Sequence, residues 1–265
     1  MPPWHWHPSA VLGLAGLVAL YLAGIGPLGR RFGWRPAAAR SVRPGWFLAG
    51  VLAAALALLG PLAEWAEHVS LSAHMAQHLL LTLVVPPLWL AGTPAWLLRP
   101  LLRVPGVARA GHALTRPVAA LGLASTALIA WHVPAFYDAA LDHPALHVAE
   151  HLTLLGTALL GWWPVVGPLP EWPRPAPPGQ LLYLFLATIP MTAAAAPITL
   201  ADRVLYRFYR EAPAAWPLGP AADQELAGVL MWMGGTVAYL LAGTAVYFRW
   251  ATREGGEGAP LPEPR

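Results

Sequence analysis

Six histidines in the middle third of the chain carry the chemistry this sequence can support. His74 and His78 are four residues apart, His143, His147 and His151 follow at the same spacing, and His132 lies between them in Trp131-His132-Val133-Pro134. Residues four apart sit on one helix face, one turn above each other, so each run can form a short imidazole ladder. Random placement of ten histidines gives about 0.4 such pairs by template counting. The chain has three. Imidazole is the commonest metal ligand, and paired histidines present two nitrogens to one ion. With no Cys present, such a site suits copper, with zinc or haem iron as competitors. Met75, Met191, Met231 and Met233 could add thioether, and of these Met231 and Met233 are better placed than Met191. Glu150 stands beside His151 and three residues after His147. It could be a ligand, a proton relay, or an acceptor that fixes an imidazole tautomer. His143 is either a further ligand or the helix entrance before Pro144. His5, His7, His68 and His112 read as ordinary interfacial or loop histidines.

The elements that position these residues are membrane helices. The 265-residue chain is 57% hydrophobic and only 11% charged, against about 25% charged in soluble domains. Fourteen Trp and thirty Pro fit the same class, because Trp gathers at membrane interfaces and Pro is tolerated in spanning helices. The absence of Cys excludes disulfides and thiolate sites. The absence of Lys excludes a retinal Schiff base. The basic balance comes from loop Arg and reads as topology, with no nucleic-acid partner. The opening Met1-Pro2-Pro3-Trp4 carries no basic n-region, so the first apolar run is expected to be retained.

Apolar stretches of spanning length fall near 9–28, 45–63, 72–98, 117–133, 144–166, 180–201 and 226–249. This predicts an all-α polytopic membrane protein: one seven-helix transmembrane domain over 1–251, and a disordered cytoplasmic tail over 252–265. The third stretch contains Pro86-Pro87 and is expected to kink or break there. Arg30, Arg31, Arg35, Arg40 and Arg43 crowd the first loop, and Arg99, Arg103, Arg109 and Arg116 the third. The second loop has Glu64 and Glu67, the fourth Asp138 and Asp142, and neither has Arg. By the positive-inside rule the N-terminus lies outside and the C-terminus in the cytoplasm. Loop five, from Pro164 to Gly179, is expected to be a stiff polyproline-like connector. Tyr206 to Arg210 is expected to lie at the headgroups with its Arg snorkelling, and Asp138 and Asp142 to be solvated. On this map nine of the ten histidines, all but His112, sit in the outer half.

The chain also resembles a known family. His74-Met75-Ala76-Gln77-His78-Leu79-Leu80-Leu81, then Pro86-Pro87 and Gly92-Thr93-Pro94, is similar to the signature of the CtaG family, the seven-helix membrane-integral assembly factor of caa-type cytochrome c oxidase. Trp131-His132-Val133-Pro134 with Tyr137, His147-Val148-Ala149-Glu150-His151, Gly161-Trp162-Trp163-Pro164, Asp223-Gln224 and Met231-Trp232 follow in the same order. The resemblance implies a non-enzymatic role in maturing the oxidase, by delivering or retaining copper for it. The dinuclear copper centre of such oxidases faces the outer side, as this histidine cluster is expected to do. The implied partners are oxidase subunits or another copper chaperone, in the plasma membrane of a prokaryote.

The leading expectation is therefore a copper-handling protein. His74, His78, His132, His147 and His151 hold the ion between the third, fourth and fifth spans. His143 and Met231 are candidate additional ligands, and Gln77, Glu150 and Asp223 surround the set. The alternative is a haem-binding electron-transfer or oxidoreductase protein with axial histidines. A transporter ranks below both, because the inner halves of these helices offer few polar groups beyond Thr82 and Thr157. A metallohydrolase would want His-Glu-x-x-His, which neither histidine pair has.

Overall fold

Proline begins most of the helices. Pro8, Pro44, Pro61, Pro105, Pro117, Pro134, Pro144, Pro177 and Pro220 each occupy a first helical position. There the missing N–H is no loss and the fixed φ is already helical. The structure is a computed structural model that describes residues 7–34, 36, 43–210 and 217–257, and their regular structure is entirely helical. The helices are α1 (Pro8–Arg31), α2 (Pro44–Leu58), α3 (Pro61–His68), α4 (Leu71–Gly92), α5 (Ala95–Leu98), α6 (Pro105–Leu114), α7 (Pro117–Trp131), α8 (Pro134–Asp142), α9 (Pro144–Val166), α10 (Pro177–Leu200), α11 (Arg207–Arg210) and α12 (Pro220–Glu257). His5, Arg35, Arg40 and residues 258–265 lie outside the described residues, and α12 continues past 251, where the sequence suggested a tail.

Four helices are long and apolar enough to cross a membrane: α1, α4, α10 and α12. Two bent pairs, α2 with α3 (43°) and α6 with α7 (77°), raise the number to six if each is one span. This is a multi-pass membrane architecture with four to six candidate spans where the sequence suggested seven. The remaining expected stretch is α9, which is 23 residues long. Its first turns carry His147, Glu150 and His151, and those polar groups dilute its hydropathy.

Pro86-Pro87 does not break α4. The helix widens into a π turn over Leu80–Val84 and continues to Gly92. Pro86 has no N–H to offer the carbonyl of Thr82 four residues back, and the indole Nε1–H of Trp162 on α9 donates to that oxygen instead, at 2.8 Å. Gly92 ends the helix so close to the backbone of Phe47 that a Cβ would overlap it, and Tyr21 donates to its carbonyl at 2.8 Å.

The segment Gly167–Ala176 is compact rather than an extended connector. Arg174 donates to Val165 O (2.7 Å) and Gly167 O (3.2 Å), which satisfies carbonyls at the end of α9. Leu169 is fully buried, and Glu171 pairs with Arg99 at 2.9 Å. The core runs between α4, α9, α10 and α12 through Leu83, Leu90, Trp162, Tyr183, Met191 and Ile198.

The bundle has two chemically distinct ends. Arg99 meets Glu171 at one. Gly24 and Gly29 of α1 bring Arg30 and Arg31 to the same end, against Leu97 and Trp96 of α5. The opposite end holds the histidines.

Candidate metal centre

Asp223 of α12 anchors the start of the helix that carries His74 and His78. Its carboxylate accepts from Leu71 N–H (2.7 Å), Ser70 Oγ (2.9 Å), Ser72 Oγ (2.5 Å) and Ser72 N–H (3.4 Å). Ser70 Oγ also caps α4 by accepting from Ala73 N–H at 3.2 Å. An anion is favoured at a helix N-terminus, where four amides lack partners. Asp223 thus acts on α4 as a whole, and touches no imidazole.

One and two turns inward, the five histidines of α4, α7 and α9 converge. His74 and His78 rings lie 4.4 Å apart between centroids, His147 and His151 4.3 Å, His74 and His147 5.4 Å, His78 and His151 5.4 Å, and His78 and His132 5.5 Å. Nε2 of His74 is 2.9 Å from Nε2 of His78. Glu150 is fully buried among them, with Oε1 3.6 Å from Nε2 of His78. Both carboxylate oxygens of Glu150, Nε2 of His132, His147 and His151, and Nδ1 of His78 are buried without a hydrogen-bond partner. Buried polar atoms are nearly always satisfied, and a carboxylate inside a membrane helix is costly unless it has a role.

Such a set of orphaned atoms fits a cation. One ligand atom from each of His74, His147, Glu150 and His151 lies within 4.8 Å of all the others. Ligands on a single ion at 2.0–2.2 Å lie up to about 4 Å apart, so modest side-chain rotation closes the shell. Three imidazoles and a carboxylate, with no thiolate in the chain, suit copper, zinc or iron. Glu150, expected beside the ligand set or in it, lies within the set.

The tautomers are prepared. Nδ1–H of His132 donates to Leu128 O at 2.7 Å, leaving the Nε2 lone pair toward the group. The Tyr209 hydroxyl donates to Ala66 O at 2.5 Å and therefore accepts from Nδ1–H of His74 at 3.0 Å. That leaves Nε2 of His74 as the unprotonated nitrogen, which accepts from Nε2–H of His78 at 2.9 Å. Tyr206 donates to His132 O at 2.9 Å, and Tyr137 O lies 3.4 Å from Tyr209 O. Burial pushes the Tyr206 and Tyr209 hydroxyls above the usual phenol range, so both remain neutral donors.

Tyr206 and Tyr209 are residues of the candidate site that the sequence alone does not place there. Within Tyr206–Arg210, Tyr206 and Tyr209 are buried as a plug over the imidazoles, while Arg207 and Arg210 are exposed. Asp138 and Asp142 are not free loop charges. Asp138 accepts from the backbone amides of Arg207 and Phe208, both at 3.2 Å, and Asp142 pairs with the Arg207 guanidinium. The available signal was the i,i+3 spacing of Tyr206 and Tyr209, which puts both rings on one face with Arg207 off it.

The other candidates sit elsewhere. His143 is exposed at the first position before α9, where its carbonyl accepts from the amides of Leu146 (2.9 Å) and His147 (3.1 Å). Met231 is buried in the apolar core with Met75 and Met191. Gln77 donates to Ala57 O at 3.0 Å, tying α4 to α2, while its Oε1 has no hydrogen-bond partner. His112 lies in a cleft with Arg109, Arg116 and Trp172 at the arginine end.

Residues 19–253 match the cytochrome c oxidase caa3 assembly factor family. The chain belongs to that family. Similar curated proteins include the uncharacterized protein Mb0105 of Mycobacterium bovis and the uncharacterized protein MT0111 of Mycobacterium tuberculosis. Each is 26% identical over 279 residues, which covers 94% of this chain and 40% of the relative. The chain thus spans about two fifths of the length of these relatives. No solved structure is significantly similar.

Proposed function

We propose that this assembly factor acts without catalysing a reaction, by holding a copper ion as cargo for cytochrome c oxidase. The observation that carries the reading is the convergence of ligating atoms on His74, His147, Glu150 and His151, of which those on His147, Glu150 and His151 are buried without a hydrogen-bond partner, continued by His78 and His132. The Nδ1 proton of His132 is already committed to Leu128 O, so its Nε2 lone pair is available without proton loss, while that of His74 faces Nε2 of His78 at 2.9 Å. One carboxylate among neutral imidazoles balances a single positive charge. In a low-dielectric interior that favours Cu(I) over a divalent ion. The haem alternative needs a gap as wide as a macrocycle beside an axial imidazole. The five rings instead pack against one another at 4.3–5.9 Å.

The positive-inside rule puts the arginine end in the cytoplasm and the histidine end outside, with seven passes if α9 is counted among the spans. Cargo held there would be on the outer side of a prokaryotic plasma membrane, available to oxidase subunits or to another copper chaperone. Purified protein is expected to retain stoichiometric copper, measured by atomic absorption, and a His78→Ala/His151→Ala variant to lose it. A copper-free wild type, or equal copper in the variant, overturns the reading.

A further inference from the structure

One more histidine reaches this end of the molecule, from outside the residues that match the family. His7 stands at the start of α1, with Nε2 3.8 Å from Oε1 of Glu67 at the end of α3. That is too long for a hydrogen bond, and Nε2 of His7 is buried with no hydrogen-bond partner. Two ligands at about 2.0–2.2 Å from a shared ion can lie about 4 Å apart, so the gap admits a bridging cation as it stands. The adjacent His68 is exposed, and His7 and His68 both lie within electrostatic reach of His147. His147 is half-buried, whereas His74 has no exposure. The ligating groups therefore form a graded series: exposed His68, half-buried His7 and Glu67, half-buried His147, then the buried group. His7, Glu67 and His68 stand apart from the four residues whose ligand atoms converge.

We propose that His7, Glu67 and His68 form a transfer station for copper, which passes its ion to His147 and from there to the buried group. The inference rests on the copper reading above. The physical need is dehydration: taking an ion from water to a buried site in one step costs far more than exchanging its waters for protein ligands in stages. Glu67 also supplies negative charge that draws a cation to the mouth. Each handover is a ligand exchange with no change in oxidation state, in which one bond to His7 or Glu67 breaks as one to His147 forms.

The test is the rate of loading. Purified full-length protein in detergent is mixed rapidly with Cu(I) held by a chromogenic chelator, and chelator absorbance reports transfer. A His7→Ala/Glu67→Gln variant is expected to load at least roughly tenfold more slowly, with final copper content and affinity unchanged, and His68→Ala to slow loading less. Unchanged final content also shows that the variant is folded. Equal rates overturn the station. A lower final content or affinity overturns it too, by making His7 and Glu67 part of one site. A wild type that takes up no copper overturns the copper reading itself and the station with it.

Discussion

The hydroxyl of Tyr209 decides which nitrogen of His74 carries the proton. It has one proton, spent on Ala66 O, so its remaining role toward His74 is as acceptor. Tyr209→Phe leaves Nδ1–H of His74 buried without a partner, at a cost of about 1–3 kcal/mol. It also frees the ring to adopt the tautomer that points a proton at the ion. Metal affinity is expected to fall roughly 10–100-fold, the usual effect of losing an outer partner, measured by competition with a Cu(I) chelator. Tyr137→Phe, which loses only a 3.4 Å contact, is expected to do less. If Tyr209→Phe binds copper as tightly as wild type, the tautomer is set by something other than this hydroxyl. Glu150 differs in kind: its two oxygens have no hydrogen-bond partner, and its nearest ionisable neighbour is Nε2 of His78 at 3.6 Å, which leaves its oxygens available to a cation on the proposed reading.

Between elements, the contact with most leverage on the site is the one Asp223 makes. Its carboxylate takes both amide and hydroxyl donors from residues 70–72 and so ties α12 to the first turn of α4, one turn from His74. Hydrogen bonds to a charged group contribute about 1.5–3 kcal/mol each. Asp223→Ala is therefore expected to destabilise the protein by roughly 3 kcal/mol or more, even if water recovers part of the loss. A melt followed by intrinsic fluorescence in detergent should fall by several degrees and copper retention should drop with it. An unchanged melt accompanied by lost copper would move Asp223 from the helix end to the ion. This contact shows where sequence reading works and where it stops. Spacing alone put His74 with His78 and His147 with His151 on helix faces, and the span 144–166 coincides with α9. Local pattern suffices for those features. At Pro86-Pro87 the sequence marks an irregularity, present as the π turn over Leu80–Val84, but not the donor that satisfies Thr82 O, which is Trp162, 80 residues on. The burial of Tyr206 and Tyr209 is hidden for the same reason: the segment's partners Asp138 and Asp142 lie 65–70 residues away, and no periodicity links the two segments.

Charge is what orients the molecule as a whole. Arg99 and Arg174 sit at one end, where Arg174 also feels the charges of Arg249 and Arg253. The cleft of Arg109 and Arg116 opens there too. The histidine end has Arg203, Arg207 and Arg210, which by count alone would weaken the asymmetry. Arg207 is neutralised by Asp142, while Arg210 donates to Val204 O at 3.0 Å and keeps its charge. The opposite end still carries more Arg, with Arg30, Arg31, Arg109, Arg116, Arg174, Arg249 and Arg253, and under the proposed orientation the site faces outward. Because the chain has no Cys, single cysteines can report this without background. Gly219 and Gly106 suit the purpose: both are exposed, and a Cβ at either meets nothing within 4 Å. In intact cells a membrane-impermeant maleimide is expected to label Gly219→Cys at the histidine end and to leave Gly106→Cys unlabelled until the membrane is opened. The reverse pattern would put the imidazole group on the cytoplasmic side. An ion released there could not reach an outward-facing oxidase centre without first crossing the membrane.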